Sequence, residues 1–287
     1  MSFKQDTPDG ETIRFGMQPV KTLLLETPEA ILSLWLQAGL PKLAPLGHLA
    51  QRFGVSVETM SKPQLEKRLL SCLPDVQAAE TLRHQGVVAI LKKTYAQSSP
   101  ASMTFETLCE QFRATLTAKN HALVIVLDGV TDPRNVGAIL RVAEGAGALA
   151  VVIPKHGSAT HGPIMSKASA GADITMPLVT VTNVTRALEA LKKMGGWVVA
   201  ADCSDGAQMV HSLTFPSGCI LLMGSEGRGI RRLVAEQADF RVKIPMLGQM
   251  ASLNVSVACG ILAYQWVSSV LVSAGSTELN TKELNTK

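Results

Sequence analysis

Leu-Asp-Gly-Val-Thr-Asp-Pro-Arg-Asn-Val-Gly-Ala-Ile-Leu-Arg, residues 127–141, is the stretch on which the fold turns. The apolar run Ala122–Leu127 reads as a buried strand, and it stops at Asp128 and Gly129. Asp132 is positioned to cap a helix whose first residue is Pro133, because proline lacks the amide that a helix start leaves unpaired anyway. A strand running straight into a capped helix is half of a βαβ unit. Asn135 falls in the first turn of that helix, beside unpaired backbone donors. Arg141 lies six residues on, about 9 Å along the axis and on a different face. Helix geometry alone therefore does not assemble a site from these two, and taken by itself the segment favours an ordinary capped crossover helix with a surface arginine.

Working outward, further runs of the buried-strand type occur at Leu149–Ile153, Trp197–Ala201 and Ile220–Met223, with helical patterns between them. The alternation predicts a parallel sheet in an α/β unit over residues 120–273. Residues 16–93 predict a second, smaller α/β unit. Helical patterns are expected near 20–25, 43–53 and 64–70 and strands near 55–60 and 86–91, with an apolar run at 30–36. Residues 94–119, with Ser-Ser-Pro at 98–100, read as a linker carrying a brief helix. Residues 1–15 and 274–287 read as disordered tails; the second holds Glu-Leu-Asn-Thr-Lys twice, at 278–282 and 283–287.

Two later segments carry polar groups of chemical interest. Ile-Leu-Leu-Met-Gly-Ser-Glu-Gly-Arg-Gly-Ile, 220–230, is a strand entering a glycine-rich loop. Its spacing matches neither the dinucleotide fingerprint nor the phosphate loop. Glu226 is its only carboxylate, and Arg228, Arg231 and Arg232 follow; a solvated charged turn and a ligand loop beside a phosphate-binding patch are equally compatible. The other segment, 244–260, leads through Pro245 and Gly248 to Ser252, Leu253 and Asn254, where a helix of small residues begins. Ser or Asn there can simply cap the helix. Equally, an apolar wall with a few fixed polar groups is what a cofactor pocket needs.

Composition narrows the function classes. In 287 residues, 46% are hydrophobic and 17% charged, enough to bury a large core, while 4% aromatics argue against base stacking as the main contact with RNA. A net charge of +4 permits a polyanionic partner without requiring one. The five cysteines are odd in number, widely spaced and lack a CxxC pair, so free thiols in a reducing compartment, the cytoplasm, are expected, with no metal site. The N-terminal residues lack an apolar signal core. Residues 253–274 are uncharged over the length of a membrane span, yet Asn254 and Gln265 interrupt them and no basic flank follows, so a buried helix is expected.

In order, spacing and content, the three segments resemble the motifs of the SPOUT methyltransferases, TrmH branch: Asp-Pro-Arg-Asn-Val-Gly…Arg, then Met-Gly-Ser-Glu-Gly-Arg-Gly, then Ile-Pro-Met…Ser-Leu-Asn-Val-Ser-Val-Ala. The likeness covers about residues 120–270. The upstream unit, with His-Gln-Gly-Val at 84–87, resembles the L30e-like substrate-binding domain of RlmB-type enzymes, although residues 70–81 depart from that pattern. The resemblance implies a C-terminal SPOUT domain with a deep trefoil knot. It also implies S-adenosylmethionine as methyl donor, a homodimer with residues of both subunits at the site, and ribose 2′-O-methylation of a guanosine in large-subunit (23S) ribosomal RNA. A transfer-RNA substrate, or a non-catalytic RNA-binding module on the same fold, is the alternative; absence of the dinucleotide fingerprint counts against a nicotinamide enzyme. By matching position, the catalytic set is Asn135, Arg141, Glu226, Ser252 and Asn254. The cofactor set is Met223, Gly224, Ile244, Met246 and Leu253, and RNA would meet Arg134, Arg228, Arg231 and Arg232.

Overall fold

In the computed structural model the strands, in chain order, are β1 Thr12–Phe15, β2 Ile31–Gln37, β3 Val57–Met60, β4 Val87–Leu91, β5 Ala122–Asp128, β6 Ala150–Pro154, β7 Leu178–Val181, β8 Trp197–Ala201, β9 Gln208–Met209, β10 Gly218–Gly224 and β11 Phe240–Lys243. The helices are α1 Met17–Glu26, α2 Ala44–Arg52, α3 Lys62–Cys72, α4 Phe105–Thr117, α5 Pro133–Gly145, α6 Pro163–Ser169, α7 Ala172–Thr175, α8 Val184–Lys193, α9 Arg232–Ala235 and α10 Val255–Ser273. The structure describes residues 12–72, 84–92, 101–159, 163–204, 206–250 and 252–273. The chain divides into two compact units, one of residues 1–104, 130–144 and 156–179, the other of 105–129, 145–155 and 180–287.

The first unit holds a four-stranded sheet in the order β1-β4-β2-β3, with β4 antiparallel to both neighbours and β2 parallel to β3. Every residue of β4 is buried because both faces are covered. Val87, Ala89 and Leu91 pack with Leu23 of α1 and Leu46 of α2, while the alternate residues Val88 and Ile90 meet Leu65 and Leu69 of α3. β1 corrects the expectation of a tail over 1–15. Its register runs from Thr12 opposite Leu91 to Phe15 opposite Val88, and Ile13 and Phe15 are buried in the α3-side core. A strand this short depends on a partner far along the chain, which no local pattern reveals. Residues 1–11, like Ser-Ser-Pro 98–100, most of 70–81 and the tail from 274, lie outside the described residues.

α5 belongs to the first unit over residues 133–144 and is held there by close backbone approach. A Cβ on Gly137 would stand 2.4 Å from the Met165 carbonyl oxygen and 2.7 Å from Ala168 Cβ, so only glycine lets α5 lie this close to α6. α6 rests against β1. Just beyond it, Ser169 donates to Asp173 (2.7 Å), whose other oxygen faces Arg14 of β1 at 3.5 Å. Arg14 and Asp173 are both buried, as a charge pair must be if neither is to lie uncompensated.

The second unit holds a seven-stranded sheet in the order β7-β6-β5-β10-β8-β11-β9. β5, β6, β8, β9, β10 and β11 pair in parallel, as the buried-type runs require. All four runs foreseen in the sequence are strands; β7, β9 and β11 are too short and mixed to have stood out. α4, inside the stretch expected as a linker, is a 13-residue helix of this unit that buries Leu108 and Phe112. α10 corrects the expectation of a buried helix. By length and composition it could cross a membrane. One side, with Cys259, Leu262, Ala263 and Trp266, is buried in the unit, where the helix packs on β10, and Trp266 Nε1 donates to the Pro216 carbonyl (3.2 Å). The other leaves Val257, Tyr264 and Val272 exposed. With no polar stripe along the helix, the sequence could not indicate that only one side finds a sheet.

Candidate active site

Parallel strands of an α/β sheet leave their carboxyl ends open to loops, and that edge is where such folds bind ligands. In the second unit the loops after β8, β10 and β11 enclose, with the start of α10, a cavity of about 830 Å³. That is the size of a small-molecule site. Met223, Ile244, Met246, Leu253, Val255 and Leu262 give it an apolar lining.

The loop after β10 owes its shape to glycine. A Cβ on Gly224 would fall 2.3 Å from the Gly229 carbonyl carbon and 2.5 Å from the Ile230 nitrogen, both backbone atoms that cannot swing aside. Ser225 and Gly229 exchange both backbone hydrogen bonds (3.0 and 2.9 Å), closing a tight turn in which Gly227 and Gly229 adopt φ of 77° and 66°.

Glu226, in that turn, is fixed by the third segment. Asn254 Nδ2 donates to Glu226 Oε1 at 2.8 Å, and the Val255 amide donates to the same oxygen at 3.4 Å. Asn254 Oδ1 meanwhile accepts from the Ser256 amide (2.9 Å) and hydroxyl (2.6 Å), capping α10. Both ends of the carboxamide are committed, so Asn254 is at once a helix cap and the clamp that orients Glu226. Ser252 lines the same cavity.

The arginines differ in their surroundings. Arg231 Nη2 and Nε donate to Asp128 Oδ1 at 2.6 and 2.8 Å, and the Arg231 amide donates to Oδ2 at 2.8 Å. Asp128 ends β5 with its side chain fully buried, so the pair pins the end of the glycine loop, and the hydrogen bond raises the Arg231 pKa. Arg231, expected in a phosphate-binding patch, thus has its charge compensated within the protein. Arg232 pairs with Glu236 one turn on (3.0 Å). Arg228 is exposed at the cavity and makes no ion pair among the described residues.

Asn135 and Arg141 lie on α5 in the first unit, at the third and ninth positions of the helix; Asn135 is half-buried and Arg141 exposed. The expected cap is present, since the Arg134 amide donates to Asp132 Oδ1 (2.8 Å). The structure therefore brings Glu226, Ser252 and all five cofactor-set residues to one cavity of the second unit, with Asn254 tied to it through its hydrogen bond to Glu226.

Sequence inspection missed Asp202 and Ser204, which line the cavity after β8. Burial alone would raise the Asp202 pKa. Hydrogen bonds from the Ser204 amide (3.0 Å) and hydroxyl (2.9 Å), with the charge of Arg241, outweigh it and leave the carboxyl below the usual range. The available signal was position: a polar loop at the carboxyl end of a recognised strand. Cysteine chemistry finds no support. Burial pushes the Cys219 thiol up and that of Cys259 up to about 12, and no disulfide forms among the described cysteines. No metal-ligand cluster occurs among the described residues.

Residues 122–264 match the SpoU rRNA Methylase family. The chain is 38% identical to a 23S rRNA (guanosine-2′-O-)-methyltransferase RlmB of Pseudomonas putida, over 88% of this chain and 94% of the relative. It is 36% identical to the enzyme of that name from Shewanella oneidensis, over 90% and 97%. Among solved structures, the SpoU methyltransferase AviRb from Streptomyces viridochromogenes, in complex with AdoMet, superposes with a TM-score of 0.66 at 21% identity, covering 92% of each chain. With near full-length relatives at this identity and a family model spanning the sheet and its glycine loop, the chain belongs to the SpoU rRNA methylase family.

Proposed function

We propose that this protein is an S-adenosylmethionine-dependent methyltransferase that modifies the ribose 2′-hydroxyl of a guanosine in 23S ribosomal RNA. The observation that carries the proposal is the convergence of Gly224, Ile244 and Leu253, from three sequence-distant stretches, on one apolar cavity beside the clamped Glu226. That cavity suits the methyl donor: apolar walls accept an adenine, and backbone at Gly224, Ile244 and Leu253 offers hydrogen bonds to its edge. S-adenosylmethionine supplies, when bound, a methyl group already activated on a sulfonium.

The protein must then position the hydroxyl and stabilise the charge it develops, which together account for several kcal/mol of barrier. Arg141 is assigned that second task. An arginine side chain keeps its proton in proteins, so Arg141 serves the developing alkoxide as a fixed cation, and the proton leaves to phosphate or water. Asn135, Glu226, Ser252 and Asn254 orient Arg141, the ribose and the site loops. Arg134 and Arg228 meet RNA phosphate, with Arg232 and Arg231 contributing less because each already pairs with a carboxylate.

The finer features follow the same family logic. The sheet of the second unit carries a deep trefoil knot, and the four-stranded sheet of the first unit, β1 included, belongs to an L30e-like RNA-binding domain. The protein works as a homodimer in the cytoplasm. The exposed apolar side of α10 supports a second copy as its cover: Val257, Tyr264 and Leu271 recur at helical spacing with no charge between them.

The deciding experiment incubates purified protein with methyl-labelled S-adenosylmethionine and either unmodified 23S rRNA or bulk transfer RNA, and maps ribose methylation by resistance to alkaline cleavage. One modified guanosine in 23S rRNA is the expected result. Label in transfer RNA alone would replace the substrate, and no label with no donor binding by calorimetry would overturn the activity.

A further inference from the structure

His-Gln-Gly at 84–86 lies outside the methylation site proposed above, in a tightly constrained loop of the first unit. Gln85 adopts φ of 58°, a left-handed conformation that costs a non-glycine residue energy and persists only where the surroundings impose it. Here Gln85 Oε1 accepts from the Met17 amide (2.9 Å). Gly86 follows at φ of 86°, packed so closely that a Cβ would come within 2.7 Å of Leu40 Cδ1. The loop walls a cavity of about 430 Å³ entirely within the first unit.

The groups facing that cavity form a complementary set. His84 is buried, and its Nδ1 accepts from the Gly86 amide (3.1 Å), which puts the proton of the neutral ring on Nε2. Nε2 stands 3.7 Å from Glu66 Oε1, beyond hydrogen-bond reach. Glu66 Oε1 is itself buried with no hydrogen-bond partner. A buried carboxylate oxygen left unsatisfied is costly, and a ligand donor would relieve it. Lys62 lies 3.5 Å from that oxygen, and Lys42 is on the exposed rim. The site therefore combines an acceptor, a ring N–H donor and two cations around an apolar floor at Leu40 and Gly86.

We propose that this cavity binds an unpaired guanosine nucleotide of the RNA substrate, its Watson–Crick N–H groups donating to Glu66, its O6 accepting from His84 Nε2 and its phosphate lying between Lys42 and Lys62. Guanine suits the acceptor best among the bases, because its N1–H and amino group are adjacent donors beside an acceptor oxygen. Backbone charge supplies affinity and the base edge supplies selectivity. The inference rests on RNA being the substrate, and assigns to the first unit a base-reading pocket apart from the methylated ribose.

The test uses full-length protein and fluorescein-labelled nine-nucleotide RNAs, uridine throughout except for guanosine, inosine or adenosine at the centre, followed by anisotropy. Wild type should bind the guanosine RNA about ten-fold more tightly than the adenosine RNA, with inosine between. Glu66→Gln should erase that ratio while leaving S-adenosylmethionine affinity and thermal unfolding unchanged. Lys42→Gln should weaken all three RNAs alike and lower the salt dependence by about one counterion. A central 6-thioguanosine should crosslink to peptides containing residues 37–42 or 84–92. An unaltered ratio in Glu66→Gln, or crosslinks confined to residues 224–254, overturns the pocket. Protein that shows the Glu66-dependent ratio but takes up no S-adenosylmethionine would instead sink the methyltransferase activity and leave the pocket standing.

Discussion

The turn after β10 and the loop before β4 both demand left-handed backbone, and they meet the demand differently. In the turn after β10 the left-handed positions are Gly227 and Gly229, and the crowded one is Gly224, so no residue there is strained. In the loop before β4 the first left-handed position is Gln85, held by a hydrogen bond to Met17, a residue far away in sequence. A glycine loop takes its shape from local sequence. A strained loop borrows its shape from the rest of the unit, and such borrowing marks a place where a side chain is wanted.

The contrast can be broken most severely at Gly224. Gly224→Ala puts a methyl into the backbone of Gly229 and Ile230, so the turn must open. Donor affinity measured by calorimetry should fall at least about a hundred-fold, and turnover with it. Arg141→Ala separates chemistry from loop shape. Turnover should drop by about two to three orders of magnitude with donor affinity within about two-fold, and Arg141→Lys should recover little, because an ammonium lacks the forked geometry.

In the first unit, Gly86→Ala combines φ of 86° with contacts at 2.7 and 3.1 Å, and should destabilise by about 2 kcal/mol in urea unfolding. His84 gives a pH signature. Burial lowers its pKa, against a weaker opposing pull from Glu66. Below the unfolded value of 6.5 the unfolded chain binds a proton that the folded protein resists. Stability should thus decline as pH falls through about 6.5, and His84→Asn should flatten that slope. Smallest of all, Gln85→Gly relieves the strain but forfeits the bond to Met17, and should shift the unfolding midpoint by less than about 0.5 kcal/mol. A large loss there would show that the Met17 bond, and not the backbone, dominates the loop.

Local chemistry made much of this protein legible in its sequence. The buried runs at β5, β6, β8 and β10, the Asp132–Pro133 helix start and the three glycines of the β10 turn depend on neighbours a few residues apart, so they could be read directly. The polar segments that hold Glu226, Ser252 and Asn254 could be located too, although the residues alone left a solvated turn or a plain helix cap equally open. Other features arise only when distant stretches meet. Asn254 reaches Glu226 across 28 residues, and Arg231 reaches Asp128 across 103. β1 needs β4 about 75 residues on, and α10 buries one side only, because a single sheet lies against it. Pairing partners, the fate of each arginine's charge and the exposed side of a uniformly apolar helix are set by long-range packing. Sequence periodicity reports which face a segment wants to bury, and only the tertiary structure decides what it meets there.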